Sequence, residues 1–239
     1  MPKIVRVAYL PNGSFVLPII ARLHGSSRPE VHGLAGTWER SELSLIGASL
    51  STKATMLGHL SRRLFSSITP LVTELSQRDD LRDFIDGGYG WIPSQRGLPY
   101  EALLELDSFI FEFRAAYEIL KNFLLAFSTL ILGKRVGKAE LMDVLTSAGV
   151  STDWVDELQK HRNFLIHEHA PWILFRVRQL EPPDFEPVFL AHVDADPEDP
   201  AESIDIKTLS RIYAGFDRSL QELQRWAIAE ISQLEARAD

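Results

Sequence analysis

Apolar positions recur along most of this chain at helical spacing. Leu43, Ile46, Leu50, Leu57, Leu60 and Leu64 follow one another at three-, four- and seven-residue steps. That spacing predicts a long amphipathic helix continuing toward Leu75, which Pro70 is expected to break or kink. A second helix is predicted from about Pro99 to Leu132, with Pro99 suited to its first turn and Gly133 to the position just past its end. From Ile119 to Leu132 its polar residues, Lys121, Asn122, Ser128 and Thr129, share one narrow stripe, so that half should be buried nearly all round. The last helix carries Ile206, Leu209, Ile212, Phe216, Leu220, Leu223, Ala227 and Ile231 on one face.

Other segments depart from this period. Residues 3–10 and 14–20 are β-branched and apolar on either side of Pro11-Asn12-Gly13, which predicts a hairpin, followed by a loop to about Gly36. Trp172–Arg178 and Val188–Val193 read as two further strands joined by the Pro-rich stretch Glu181–Pro187. Asp194–Glu202 reads as an acidic loop, and Lys138–Ala148 as a short helix ending at Gly149. The glycines at Asp86–Pro93 match neither a dinucleotide nor a phosphate-loop spacing. The expected fold is mainly α, a helical bundle with a small peripheral antiparallel β-sheet. It is read as a single domain over residues 1–239: an N-terminal hairpin and loop in 1–35, then the bundle in 36–239 with a β insertion at 172–193.

Composition narrows the function. The chain has 239 residues and no cysteine, which removes disulfides, thiolate metal sites and cysteine nucleophiles. No signal-like segment and no apolar run near the ~20 residues of a membrane span are read, so a cytoplasmic protein with no membrane partner is expected. A formal charge of −8 argues against a broad nucleic-acid coat, but leaves room for a small local phosphate site.

The densest chemistry lies in His161-Arg162-Asn163-Phe164-Leu165-Ile166-His167-Glu168-His169-Ala170-Pro171. Ser151-Thr152-Asp153 offers N-cap chemistry for a helix expected to run to His169, where the residue before Pro171 disfavours the α conformation. On a continuous wheel Arg162 falls inside the apolar arc of Trp154, Val155 and Leu158, while Asn163 and His167 share another face. A guanidinium in that arc needs a carboxylate or phosphate partner, and Asp107, Glu112 or Glu118 could supply the former. The helix C-terminus favours imidazolium at His167. His161, His167 and His169 do not converge from one straight helix, and there is no HExxH, so no metal or other cofactor is expected.

The spacing Arg162-Asn163-x-x-x-His167 resembles the Arg-x(4–6)-His signature of the HEPN superfamily, and His169-Ala170-Pro171-Trp172 resembles the sequence after the motif in an uncharacterised HEPN-like subgroup. The resemblance implies a helical, dimeric, metal-independent endoribonuclease of a toxin–antitoxin or phage-defence system. It implies Arg162, Asn163 and His167 as catalytic residues and RNA as substrate, with an antitoxin protein as a further partner. His161 and His169 are the candidate substrate-binding residues. The homodimer is expected to place the 153–169 helix near its two-fold axis. The other expectation, from a different class, is a non-catalytic HEPN-like protein that binds a nucleotide or a protein partner.

Overall fold

A computed structural model describes residues 15–86, 97–134, 143, 145, 146, 149, 151–161 and 171–237. Among them the chain is mainly helical with a small three-stranded antiparallel sheet. The helices are α1 (Leu17–His24), α2 (Pro29–Arg40), α3 (Glu42–Ser76), α4 (Leu81–Asp86), α5 (Leu98–Leu130), α6 (Asp153–Lys160) and α7 (Ile206–Arg237). The strands are β1 (Trp172–Leu180), β2 (Pro183–Leu190) and β3 (Ser203–Asp205), in the order β1-β2-β3. The fold divides into two compact units: Met1–Met56, Arg114–Val150 and Ser219–Asp239 form the first, and Leu57–Phe113 with Ser151–Arg218 the second.

The first unit is organised by aromatic packing. Phe15 meets Phe123 edge-on at 5.0 Å between ring centroids, Trp38 lies 6.1 Å from the same ring, and Phe127 lies 5.5 Å from Trp226. The second half of α5 is inward-facing as its composition requires, with Leu120, Phe123, Leu124, Phe127 and Ser128 buried. Gly133 follows α5 with φ 64°, a left-handed value that glycine adopts without steric cost. Arg22 pairs with Glu235 and donates from Nε to Ser232 Oγ at 3.1 Å, tying α1 to α7.

Three sequence expectations need correction here. The strand read over 14–20 is instead the start of α1: Pro18 sits in its first turn, and Ile19 and Leu23 are buried one turn apart. The first strand of that hairpin, residues 3–10, lies outside the described residues. The loop read to Gly36 is largely α2, whose Val31, Ala35 and Trp38 recur at helical spacing and point inward. Finally, of the break or kink expected at Pro70, the break does not occur, since α3 runs on through it to Ser76. A proline inside a helix costs ~3 kcal/mol. Burying Ile68, Leu71 and Leu75 around it returns about 1.5–3 kcal/mol for each large aliphatic side chain, so packing wins.

The second unit holds the sheet. β1 and β2 pair from Trp172↔Leu190 to Leu180↔Pro183, with an irregularity between Val177 and Gln179. β1 is longer than expected, and β2 starts earlier and stops at Leu190 rather than Val193, so the Pro-rich stretch from Pro183 to Pro187 belongs to β2 and only Glu181-Pro182 is left as the turn. Pro187 is tolerated in a central strand because β3 pairs only with Val188–Leu190, which leaves one side of β2 free there. One face of β2 places Phe185 against Leu75, Leu81 and Phe175. The opposite face carries Glu186, Val188 and Leu190. The short β3 has no counterpart in the sequence reading. The glycine-rich loop at 87–93 and most of the 138–148 helix lie outside the described residues.

Trp154 seats α6 in this unit, 5.5 Å from the Phe216 ring and 6.0 Å from that of Phe113. Its indole fits because residue 215 is glycine. A Cβ there would meet Trp154 Cγ at 2.8 Å and Cδ1 at 3.0 Å. Gly215→Ala is therefore expected to destabilise the protein by about 1–3 kcal/mol, as overpacking does. Gly33→Ala in α2, whose added methyl meets nothing within 4 Å, should instead stabilise by roughly 0.5–1 kcal/mol. Urea unfolding of both variants checks the opposite signs.

Candidate functional site

The segment leading into the Arg162 motif begins as a well-formed helix. Thr152 occupies the N-cap position without a side-chain cap bond, and Asp153 and Asp156 lie in the first turn, where the helix dipole favours negative charge. Trp154 and Val155 face inward. The helix ends at Lys160, however, and does not run unbroken to His169: His161 has φ −94° and ψ 17°, outside the helical pattern. The imidazole there is anchored on another element, and the expected faces of Arg162, Asn163 and His167 lie outside the described residues.

That anchor fixes the chemistry of His161. The side chain is buried, at 7% exposure, and Nδ1 lies 2.8 Å from the Ser203 carbonyl oxygen in β3. A carbonyl only accepts, so Nδ1 carries the proton and donates it. In the neutral ring Nε2 is then the acceptor. Among the described residues, Glu157 Oε1 stands 4.0 Å from Nε2.

Beside His161 the sheet carries a compact charge cluster. Glu186 is 5% exposed in the middle of β2, opposite Arg176 in the strand register. Arg178 donates to it from both Nε (3.0 Å) and Nη2, and Arg176 donates from Nη1 at 3.2 Å. Lys207 Nζ stands 3.5 Å from Oε1. Hydrogen bonding from Arg178 first, then from Arg176, together with the charges of Arg178 and Lys207, holds the Glu186 carboxyl below the usual carboxylate range against the opposing effect of burial. The Arg178 guanidinium is raised in turn, chiefly by its hydrogen bond to Glu186.

Arg176 extends the cluster. Its Nη2 donates to Glu198 Oε1 at 2.7 Å and to the Pro197 carbonyl at 3.4 Å, which fastens the acidic loop to β1. The loop is also held by its own carboxylates, since Asp199 Oδ1 accepts from Ala201 N and Asp196 Oδ1 from Glu198 N. Asp205 accepts from Thr208 N at 2.7 Å and from Thr208 Oγ1 at 3.2 Å, capping the first turn of α7. Between these pieces lies a cleft of about 260 Å³, with His161, Arg176, Glu198, Ser203 and Asp205 among its walls and Val188 and Ile204 on its apolar side.

Of the sequence candidates, His161 is placed on this cleft. Arg162, Asn163, His167 and His169 lie outside the described residues, as does any pairing of Arg162 with Asp107, Glu112 or Glu118. Sequence reasoning missed Arg176, Glu186, Glu198, Ser203 and Asp205. One signal was available: a lone glutamate inside the apolar run Phe185–Leu190, facing a strand with arginines at 176 and 178. A carboxylate is seldom buried in such a strand unless paired. Among the described residues, no group of three or more His, Asp or Glu side chains could hold a metal ion, and no helix is long and apolar enough to cross a membrane. No family model matches the chain, and no curated protein or solved structure is significantly similar to it.

The Glu186 cluster makes stability pH-dependent with a defined sign. Its carboxyl is depressed in the folded state, so its contribution is fully present above the unfolded value of about 4.3. The contribution disappears as pH falls through the lower folded value. Glu186→Gln should therefore be clearly less stable than wild type at pH 7, with the gap closing as both are acidified below pH ~4. Denaturant titrations across that range measure it, and a gap independent of pH would show that the charge contributes nothing.

Proposed function

We propose that this chain is a HEPN-type endoribonuclease that cleaves RNA without a metal ion. The observation that carries this reading is the motif Arg162-Asn163-x-x-x-His167 in a mainly helical chain, directly after a histidine that borders a polar cleft. The reaction class follows from the residue types. The ribose 2′-oxygen bonds to phosphorus while the bond to the 5′-oxygen breaks, leaving a cyclic phosphate and a 5′-hydroxyl. His167 takes the 2′-hydroxyl proton as base, or gives a proton to the leaving 5′-oxygen as acid. Arg162 holds the phosphate and offsets its growing charge, and Asn163 orients the phosphate or the imidazole. Two copies are proposed to bring their motifs to one cleft, as a cytoplasmic component of a toxin–antitoxin or phage-defence system with an antitoxin as inhibitor.

The non-catalytic reading is favoured by one observation, the formal charge of −8, which weakens attraction to any polyanion. It calls for binding of a nucleotide or a protein partner without cleavage.

Purified protein should cut RNA in EDTA and leave cyclic-phosphate ends. Arg162→Ala and His167→Ala should each lower the rate by ~10²–10⁴. The double variant should be scarcely slower, because residues acting as one unit are not additive. His24→Ala, at an exposed histidine paired with Glu39, should leave the rate unchanged. RNA bound but never cut would establish the non-catalytic reading.

The assembly has its own test. Sedimentation should give a dimer at micromolar concentration, and mixing inactive Arg162→Ala chains with wild type should lower activity more than dilution does. A monomer that remains fully active would overturn the two-copy site.

A further inference from the structure

The two edges of the sheet are unlike. β3 is three residues long, a short edge of the kind that discourages further pairing, whereas β1 at the other edge runs nine residues from Trp172 to Leu180. Which backbone groups of β1 face outward follows from β2. Ala191 N donates to the Glu202 carbonyl at 2.8 Å, on the β3 side, one step beyond the pair Leu190↔Ser203. Backbone groups in an antiparallel ladder turn to alternate sides residue by residue, so Phe189 also turns to β3, while Leu190, Val188 and Glu186 turn to β1. Pro187 fits this phase, because it has no N–H and turns to the side where β2 has no neighbour. The register partners Trp172, Leu174 and Arg176 therefore bond inward, and the N–H and C=O groups of Ile173, Phe175 and Val177 point away from the sheet. Among the described residues no backbone group bonds to them.

A long edge strand is normally protected by a proline, a bulge or outward charges. Here Pro171 precedes the strand instead of interrupting it, and the register irregularity comes only after Val177. The charges of β1, Arg176 and Arg178, are drawn onto Glu186. Ile173, Phe175 and Val177 are half-buried, with Phe175 and Val177 packed against Leu75, Leu81 and Phe185. Trp172, at the start of the strand, is 42% exposed. The stretch from Trp172 to Val177 is thus an ordered, mostly apolar template with one row of backbone donors and acceptors unused, and what satisfies it is another extended strand.

We propose that this edge takes a second copy of the same strand, β1 pairing antiparallel with β1 about a two-fold axis at Phe175, so that one sheet continues across two chains. Charge and hydrogen-bonding capacity select that register. With the axis at Phe175, Ile173 lies opposite Val177 of the second copy and Phe175 opposite itself. Every outward N–H and C=O of these residues then gains a partner, and their apolar side chains meet on one face. On the other face Leu174 lies against the aliphatic stem of Arg176, and the Trp172 ring comes beside the Arg178 guanidinium of the second copy. Moving the axis to Arg176 would set that side chain directly opposite its own copy, where like charges repel. Moving it to Leu174 would set Val177 against Pro171, which has no N–H to give. The strand is therefore complementary to itself in a single register. The proposal stands on the sheet alone and does not depend on the nuclease reading.

The test is amide hydrogen exchange of the intact protein, followed by NMR over a range of concentrations beside sedimentation. The amides of Ile173, Phe175 and Val177 should exchange severalfold more slowly as the dimer forms. Those of Leu174 and Arg176, bonded to β2, should stay protected at every concentration. Ile173→Pro removes an outward N–H at an edge position, where proline is tolerated. It should lose the dimer while keeping the far-ultraviolet circular dichroism of wild type, and Ile173→Val should keep both. If Ile173→Pro fails to fold, the alternating exchange pattern of the wild-type protein decides. A protein that stays monomeric throughout would overturn the edge pairing. So would a dimer in which the Ile173, Phe175 and Val177 amides exchange as fast as in the monomer, although the two-copy nuclease site would survive that result. Concentration-dependent protection in a protein that never cuts RNA would leave the sheet contact standing while the nuclease reading falls.

Discussion

One carboxylate, Glu186, ties together four segments of the second unit. It lies in the central strand, accepts from two arginines of β1, and has Lys207 of α7 beside it. Through Arg176 the same contact reaches Glu198 and the Pro197 carbonyl in the loop before β3. A charge this deeply placed is unfavourable alone and acceptable only with several donors around it. That requirement makes the cluster a constraint on geometry more than a source of net stability: β1, β2, the acidic loop and the start of α7 must arrive together, or a carboxylate is left buried without partners. The cations are between a third and two-thirds exposed, so they rehydrate cheaply if the cluster opens, whereas Glu186 does not.

His161 is held by the consequences of that arrangement. Its Nδ1 partner is a backbone carbonyl of β3, a strand only three residues long and paired to β2 through Ser203↔Leu190 and its neighbours. A three-residue strand has little stability of its own. It is positioned by the loop hydrogen bonds on one side and by the Asp205 cap of α7 on the other. From the opposite direction, Trp154 locks α6 against Gly215. The imidazole therefore sits where two independently anchored elements meet, which is what a fixed tautomer in a polar cleft requires.

How much of this was legible in the sequence follows from the range over which each signal acts. The long helices were, because Leu43 to Leu64 and Ile206 to Ile231 repeat with the helical period over many turns. The cap of α5 was, because Gly133 is needed locally for its positive φ. By contrast, residues 14–20 mislead: a short apolar run has no period long enough to separate strand from helix, and Pro18 fits a first helical turn as well as a turn. As a helix break Pro70 misleads for the opposite reason, since its local cost is outweighed by burial that only the folded chain creates. Ser203 and Asp205 gave no signal, because their roles depend on partners 42 residues away at His161 and on the helix that follows. The Arg162-Asn163-x-x-x-His167 motif was legible as a pattern, but its angular placement assumed a helix unbroken from Trp154. The helix that starts at Asp153 ends at Lys160, and His161 makes a contact distant in sequence, at Ser203.

The same distinction between sum and neighbourhood bears on charge. A total of −8 describes the chain at long range, yet at physiological salt exposed charges beyond roughly 8 Å are largely screened. Near the cleft, the acidic residues are committed one by one. Glu186 faces three cations, Asp205 is bonded to Thr208, Asp196 and Asp199 accept from loop N–H groups, and Glu202 Oε2 accepts from Asp196 N at 2.9 Å. Among the described residues, the polar atoms at the cleft are thus mostly engaged with one another, so its local character is not that of a diffuse negative field. Recognition in such a place depends on the pattern of donors and acceptors along one edge of the ligand.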